Sequence, residues 1–183
     1  MKKLLLFVLL AGTNIVTFAQ NVSSTASQTV KLNLTNAIEI TFTGTGNNTG
    51  ADVNLNFVTV NDYANGVESS DQWLKVRSNK DFTVAVKSND EYFSYSGSST
   101  SVPKMKVKDV LSLLVSANKT GGYISSPYSF YKFRSIDDNN SYLLKNCDRG
   151  GDQTFAVKYK ADPGFQFPAG TYSVEVVYTA TQQ

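Results

Sequence analysis

Apolar residues recur at every second position through most of this chain. Val30, Leu32 and Leu34 alternate with Lys31 and Asn33, and Ile38, Ile40 and Phe42 alternate with Glu39 and Thr41. The same period runs through Val53, Leu55 and Phe57, through Leu74 and Val76, and through Phe82, Val84 and Val86. It returns in Phe155, Val157 and Tyr159, and closes with Tyr172, Val174, Val176 and Tyr178 set against Ser173, Glu175 and Thr179. Successive side chains of a strand point to opposite faces, so this period predicts strands with one buried and one solvated face. One stretch departs from it: Val107, Val110, Leu111, Leu114 and Val115 share a helical spacing. Its β-branched content, with Ser112 and Ser116, favours a strand or a single helical turn over Val107 to Ala117.

Between these runs stand residues that turn a chain cheaply: Gly44 to Gly50, Asn65-Gly66, Ser78 to Asp81, Gly121-Gly122, Asp137 to Asn140, Gly150-Gly151 and Asp162-Pro163-Gly164. Gly and Asn reach positive φ at little cost and Pro presets a turn corner, so short strands joined by hairpins are expected. The fold class that follows is all-β, an antiparallel sandwich, with no internal repeat.

The first residues follow a different rule. Lys2 and Lys3, the apolar run Leu4 to Leu10 and the small-residue site Thr17-Phe18-Ala19 have the form of a secretory signal cleaved between Ala19 and Gln20. Thr13 and Asn14 interrupt the run before it reaches the roughly 20 apolar residues of a membrane span. The expected organisation is a signal peptide over 1–19, a polar lead over 20–28 and one β-sandwich domain over 29–183, exported to the periplasm, cell surface or medium. No transmembrane segment is expected in the mature chain.

Loss of the leader changes the charge. The whole chain carries 17 Lys and Arg against 15 Asp and Glu; removing Lys2 and Lys3 leaves it neutral. Nucleic acid and anionic membrane both select a surplus of basic residues on one face, so neither is an expected partner. A single cysteine, Cys147, excludes an intramolecular disulfide and is expected to behave as a small buried side chain. With no histidine in the chain, Ser-His-Asp and Cys-His nucleophiles, His-based zinc sites and His acid–base chemistry are excluded. Asp137, Asp138, Asp148 and Asp152 form the one local cluster of acids, in Asn- and Gly-rich turns where Asp bonds its own backbone. They lack the spacing of a calcium loop, although separate loops can supply Ca²⁺ ligands without a motif. No enzyme activity, cofactor or metal is expected.

Aromatic residues are numerous, with ten tyrosines, eleven phenylalanines and one tryptophan. Flat exposed rings on a sandwich can grip sugar faces, but Tyr and Phe are also favoured strand residues that pack across strands. Trp73, next to Leu74, is expected to fill the core.

The run Pro168-Ala169-Gly170-Thr171-Tyr172 followed by alternating residues, taken with the leader and with Leu74 to Asn79 and Phe82 to Val84, resembles the last strand and body of secreted pilin-like and WxL-like β-sandwich surface proteins. Phe18-Ala19-Gln20 is similar to the leader end of Bacteroidetes-type envelope proteins. The chain departs from the pattern in two places: Trp73 is followed directly by Leu74, and Cys147 has no second cysteine to pair with. The resemblance implies an immunoglobulin-like or pilin-like sandwich and a non-enzymatic surface protein, structural or adhesive, that is a fimbria-like subunit joined by strand edges. Its implied partners are other envelope or fibre proteins, or further copies of itself; surface glycans are the partners if the chain is instead a carbohydrate-binding module. The candidate strand-exchange residues are Val30, Leu32 and Leu34 in an inserted arm, and Tyr172, Val174, Val176 and Tyr178 in the terminal strand.

Overall fold

The computed structural model of the protein describes residues 22–183. The expected signal peptide and its cleavage site at Ala19 and Gln20 lie outside the described residues. The chain divides into two units at Leu34/Thr35. In the first, residues 22–34 carry neither strand nor helix. Val30, Leu32 and Leu34 are 78%, 81% and 87% exposed, so the period-two pattern there forms no ladder.

The second unit, Thr35–Gln183, is all-β: the structure is 42% strand and 6% helix. Its first sheet has the order β1 (Ile38–Phe42), β3 (Gln72–Ser78), β10 (Gly150–Ala161), β6 (Leu111–Lys119) and β8 (Arg134–Ser135), with β2 (Val67–Glu68) also on β10. The second has the order β12 (Val176–Gln182), β4 (Phe82–Ser88), β9 (Ser141–Cys147) and β7 (Tyr123–Ile124). A small ladder joins β5 (Ser94–Ser96) to β11 (Thr171–Ser173). All these pairings are antiparallel.

The inward faces of both sheets form one core. Leu74, Val76, Phe155, Val157 and Leu113 come from the first sheet and Phe82, Val84, Val86, Leu143 and Leu144 from the second. Each is nearly or wholly removed from water, worth about 1.5–3 kcal/mol apiece for side chains of this size. Cys147 joins them, fully buried and unpaired, as its small apolar character suggests.

Three connections, β3–β4, β6–β7 and β9–β10, cross from sheet to sheet at one end. The expected turn Ser78 to Asp81 is not a hairpin: β3 and β4 lie in different sheets, and the turn arches between them. The β9–β10 connection makes a second arch, and the Asp81 carboxylate accepts the backbone N–H of Arg149 at 3.1 Å to tie the two together. Gly150-Gly151 is not a turn either. These glycines open β10, at a register shift between Gly150 and Gln153, where the backbone departs from a regular ladder.

The period-two run Val53 to Phe57 also forms no strand. It is half-buried at Leu55 and Phe57, which pack on the core without a ladder partner. Helix α1 (Val60–Asn65) follows, opened by a capping box in which Thr59 and Asp62 each accept the other's backbone N–H. Gly66 closes it at φ 75°, where an added Cβ would meet the Ala161 carbonyl at 2.6 Å. The ambiguous stretch from Val107 resolves as one turn, α2 (Val107–Val110), followed directly by β6.

Candidate functional site

The two sheets end differently on their two flanks. On one flank both terminal strands are long: β1 has five residues and β12 seven. They face each other across the seam between the sheets, where the Phe42 and Tyr178 rings meet edge to face at 6.2 Å. A shallow recess of about 100 Å³ lies there, lined by Ile40, Phe42, Asn48, Leu74, Val176 and Tyr178 among others.

Antiparallel ladders alternate between residues that bond the neighbouring strand and residues whose N–H and C=O point the other way. In β1 the Thr43 N–H bonds the Trp73 carbonyl and the Asn79 N–H bonds the Ala37 carbonyl, so the odd-numbered residues face β3. Ile38, Ile40 and Phe42 therefore turn their backbone groups outward. In β12 the Asn89 N–H bonds the Glu175 carbonyl and the Gln183 N–H bonds the Asp81 carbonyl, so odd residues again face the partner strand. Val176, Tyr178, Ala180 and Gln182 turn their backbone groups outward, where no strand lies beside them among the described residues. The side chains of Ile40, Phe42, Val176, Tyr178 and Ala180 pack toward the core, while on β1 the outward groups of Phe42 are taken by Asn47 and Gly46 of the following loop.

Side chains stitch the seam shut at its arch end. Gln182 Nε2 lies 2.8 Å from the Ala37 carbonyl and 3.0 Å from both Ser78 Oγ and Asn79 Oδ1. Asn79 also donates from Nδ2 to the Thr35 carbonyl at 2.7 Å and accepts the Ala37 N–H at 2.9 Å, which fixes where the chain enters the sandwich. Deeper in, the Tyr159 and Tyr178 hydroxyls are 2.7 Å apart and bridge the sheets. Burial pushes the Tyr159 phenol up to about 12 and the Tyr178 phenol well above its ordinary value, the latter raised further by its neighbour.

The terminal candidates Tyr172, Val174, Val176 and Tyr178 are all half-buried against the core. Tyr172 sits on β11 opposite Tyr95, while Val176 and Tyr178 pair with Ser88 and Val86 of β4. The run is broken between β11 and β12, with Val174 in the gap.

Trp73 is not in the core. Leu74 and Val76 take the inward positions of β3, so Trp73 faces out from the sheet, half-buried opposite Ala156, with Lys119 Nζ 5.6 Å from its ring centre. Other exposed rings lie on the second sheet: Tyr123 of β7 is 55% exposed and Tyr142 of β9 53% exposed. Tyr123 stands opposite Lys145, whose Nζ lies 4.6 Å from the Tyr142 ring centre.

The four aspartates do not converge. Asp137 accepts the Asn139 N–H at 3.0 Å within its own turn, Asp148 packs beside Gly121, and Asp152 pairs with Lys75 at 2.8 Å. The Lys75 bond holds the Asp152 carboxyl below its ordinary range. Among the described residues no group of three or more His, Cys, Asp or Glu is arranged to hold a metal ion. Burial pushes the Cys147 thiol up, against the Thr120 hydroxyl bond to its sulfur at 3.2 Å, so it stays an un-ionised core group.

Searches of the chain against protein-family models and against curated proteins returned no match.

Proposed function

We propose that the protein is an exported, non-enzymatic component of the bacterial surface, structural or adhesive, that assembles by pairing strand edges in the manner of a fimbrial subunit. The observation that carries this reading is the flank of β1 and β12: two long edges with outward backbone groups, in a chain that also holds an exposed alternating arm at Val30, Leu32 and Leu34. Exposed edges of this kind are templates for another strand, and an incoming segment gains main-chain bonds while its alternate side chains cover apolar surface. The resemblance to pilin-like and WxL-like proteins and the form of the leader point the same way.

Light scattering after size exclusion, together with gels run without boiling, tests the reading. Oligomers or ladders are expected from the purified protein and their loss from the Leu32→Asp/Leu34→Asp variant. A strict monomer at high concentration contradicts it.

A second reading, a carbohydrate-binding module, is favoured by Tyr123, Lys145 and Tyr142, which share one outer face with two rings half exposed. Aromatic faces stack on sugar C–H surfaces while nearby polar groups bond the hydroxyls. Binding on a glycan array that disappears with Tyr123→Ala/Tyr142→Ala supports it; an array without signal removes it.

A further inference from the structure

We infer that the outer face of the second sheet binds an acidic glycan, a chain of sugars bearing carboxylates, with Tyr123 and Tyr142 as stacking platforms and Lys145 and Lys87 as the groups that meet the acid. The inference rests on the glycan-binding reading above and names the class of sugar.

The two sheets carry charge in opposite ways. On the first, Lys75, Arg77, Lys158 and Lys160 each pair with a carboxylate, that of Asp152, Glu39, Asp71 and Glu68 in turn. That face is neutralised by the protein's own acids. The strands of the second sheet, β4, β7, β9 and β12, contain two lysines and no acid. Lys87 and Lys145 are both half-buried, and among the described residues neither makes an ion pair. Cations left without acids on one face hold a positive field that favours a negative ligand.

Parity puts the groups on one surface. Val84 and Val86 point into the core, so Ala85 and Lys87 of β4 point out. Ala85 stands opposite Tyr142 of β9 on one side and Thr179 of β12 on the other, and residues paired across a ladder share a face. The row from Tyr142 through Ala85 to Thr179 spans about 10 Å, two strand spacings. Its middle member has no side chain beyond Cβ, so a ring and an exposed hydroxyl border a shallow trough. Lys145 of β9 and Tyr123 of β7 continue the surface on the far side of the ring. A sugar that lays its C–H face on a tyrosine there finds hydroxyl partners beside it.

Lys145 sets the site for acid next to the ring. Its Nζ is 4.6 Å from the Tyr142 ring centre, within the span of one pyranose. With no carboxylate at hand the ammonium rests on the ring, an exposed contact that an anion displaces readily. A uronic acid carries its carboxylate at the rim of the same ring whose C–H bonds stack, so one sugar meets both groups. Nucleic acid and densely sulfated chains select clusters of Lys and Arg, which this face lacks. Two lysines on separate strands suit a chain with its acids more widely spaced.

Affinity electrophoresis in native gels tests the class, with polygalacturonate, alginate and hyaluronate as probes and the carboxyl-reduced form of each as its neutral counterpart. Retardation by at least one acidic chain is expected, tighter than by its reduced form by about tenfold and weakening as salt rises. Lys87→Gln/Lys145→Gln is expected to remove that preference, and Tyr123→Ala/Tyr142→Ala to remove retardation by every chain. Lys75→Gln on the first sheet is expected to change neither. Equal binding of acidic and reduced chains, lost with the tyrosine pair, overturns the charge assignment and leaves the glycan reading in place. Heparin or oligothymidine bound as tightly as the best uronate overturns the carboxylated class. No retardation by any chain overturns the glycan reading as well.

Discussion

The flank that ends in β1 and β12 and the flank that ends in β7 and β8 solve the same problem in opposite ways. β7 and β8 have two residues each, and irregular chain closes over the core beside them. There the Ser125 N–H bonds the Leu143 carbonyl and the Ile136 N–H bonds the Leu111 carbonyl, while Tyr128 and Ile136 sink into the core. Short edge strands under a covering loop are a common protection against unwanted pairing. The opposite flank keeps two regular strands and is held by a few side chains across the seam. One edge of the sandwich is thus sealed by its own chain and the other is left able to pair.

The largest expected effect comes from the ring that holds the open flank. Tyr178 touches Phe42 and Phe155 and bonds Tyr159. Tyr178→Ala is expected to destabilise the protein by about 3 kcal/mol in urea unfolding, the low end of the range for large buried rings because Tyr178 is half-buried. Tyr178→Phe is expected to cost less, about 1–3 kcal/mol, by leaving the Tyr159 hydroxyl unpartnered.

Proline sharpens the comparison within β12 itself. Thr179→Pro removes an N–H that faces β4 and leaves the carbonyl of half-buried Ala85 without its bond, a loss of about 1–3 kcal/mol before any strain. Ala180→Pro removes an N–H that faces outward, so folding is expected to suffer less while association is blocked. Equal losses of stability from the two variants, by thermal melting, contradict the assigned parity.

Alkaline pH probes the same seam. The folded protein holds the Tyr159 proton to about 12 against an ordinary value of 10.0. A folded value above the unfolded one means that the stabilisation is complete below pH 10 and is lost as pH rises through about 12. The gap between the folded and ordinary values corresponds to about 3 kcal/mol. Absorbance at the tyrosinate band is expected to show Tyr159 and Tyr178 ionising only with unfolding, among ten tyrosines in all. Free titration of all ten below pH 11 contradicts the buried hydroxyl pair.

The smallest effect is expected at the outer face of β1. Arg77 pairs with Glu39 across the β1–β3 ladder, but both side chains are at least half exposed. Arg77→Ala is expected to change stability by no more than about 1 kcal/mol in urea titration, and less in high salt.

Much of the sandwich was legible because period two reports directly which side chains face an apolar layer. Ile38 to Phe42, Leu74 to Val76, Phe82 to Val86 and Phe155 to Tyr159 all became strands with their alternate apolar residues inward, except Ile38, which stays exposed. The same period failed at Val30 to Leu34 and at Val53 to Phe57, since alternation names a face and supplies no neighbour for the backbone. Strand β9 escaped notice because Tyr142-Leu143-Leu144 runs apolar without alternation, and its pairing with β4 shifts register near Leu144. Helix α1 left a signal in Thr59 and Asp62 that periodicity does not measure. Trp73 was misplaced by its size although its parity was readable, because inward Leu74 and Val76 put it outside. Of the open flank, the resemblance singles out Val176 and Tyr178 in the terminal strand, but that this strand and β1 are the two edges was not legible. It follows from the order of strands in each sheet, which no local pattern records.

Residue-resolved hydrogen exchange across a dilution series tests the open β12 edge most directly. At low concentration the Val177, Thr179 and Thr181 amides are expected to be protected by β4 and the Val176, Tyr178 and Ala180 amides to exchange quickly. Protection of the second set is expected to rise as the protein associates. Association that leaves those three amides fast, or their protection in the dilute monomer, contradicts the account.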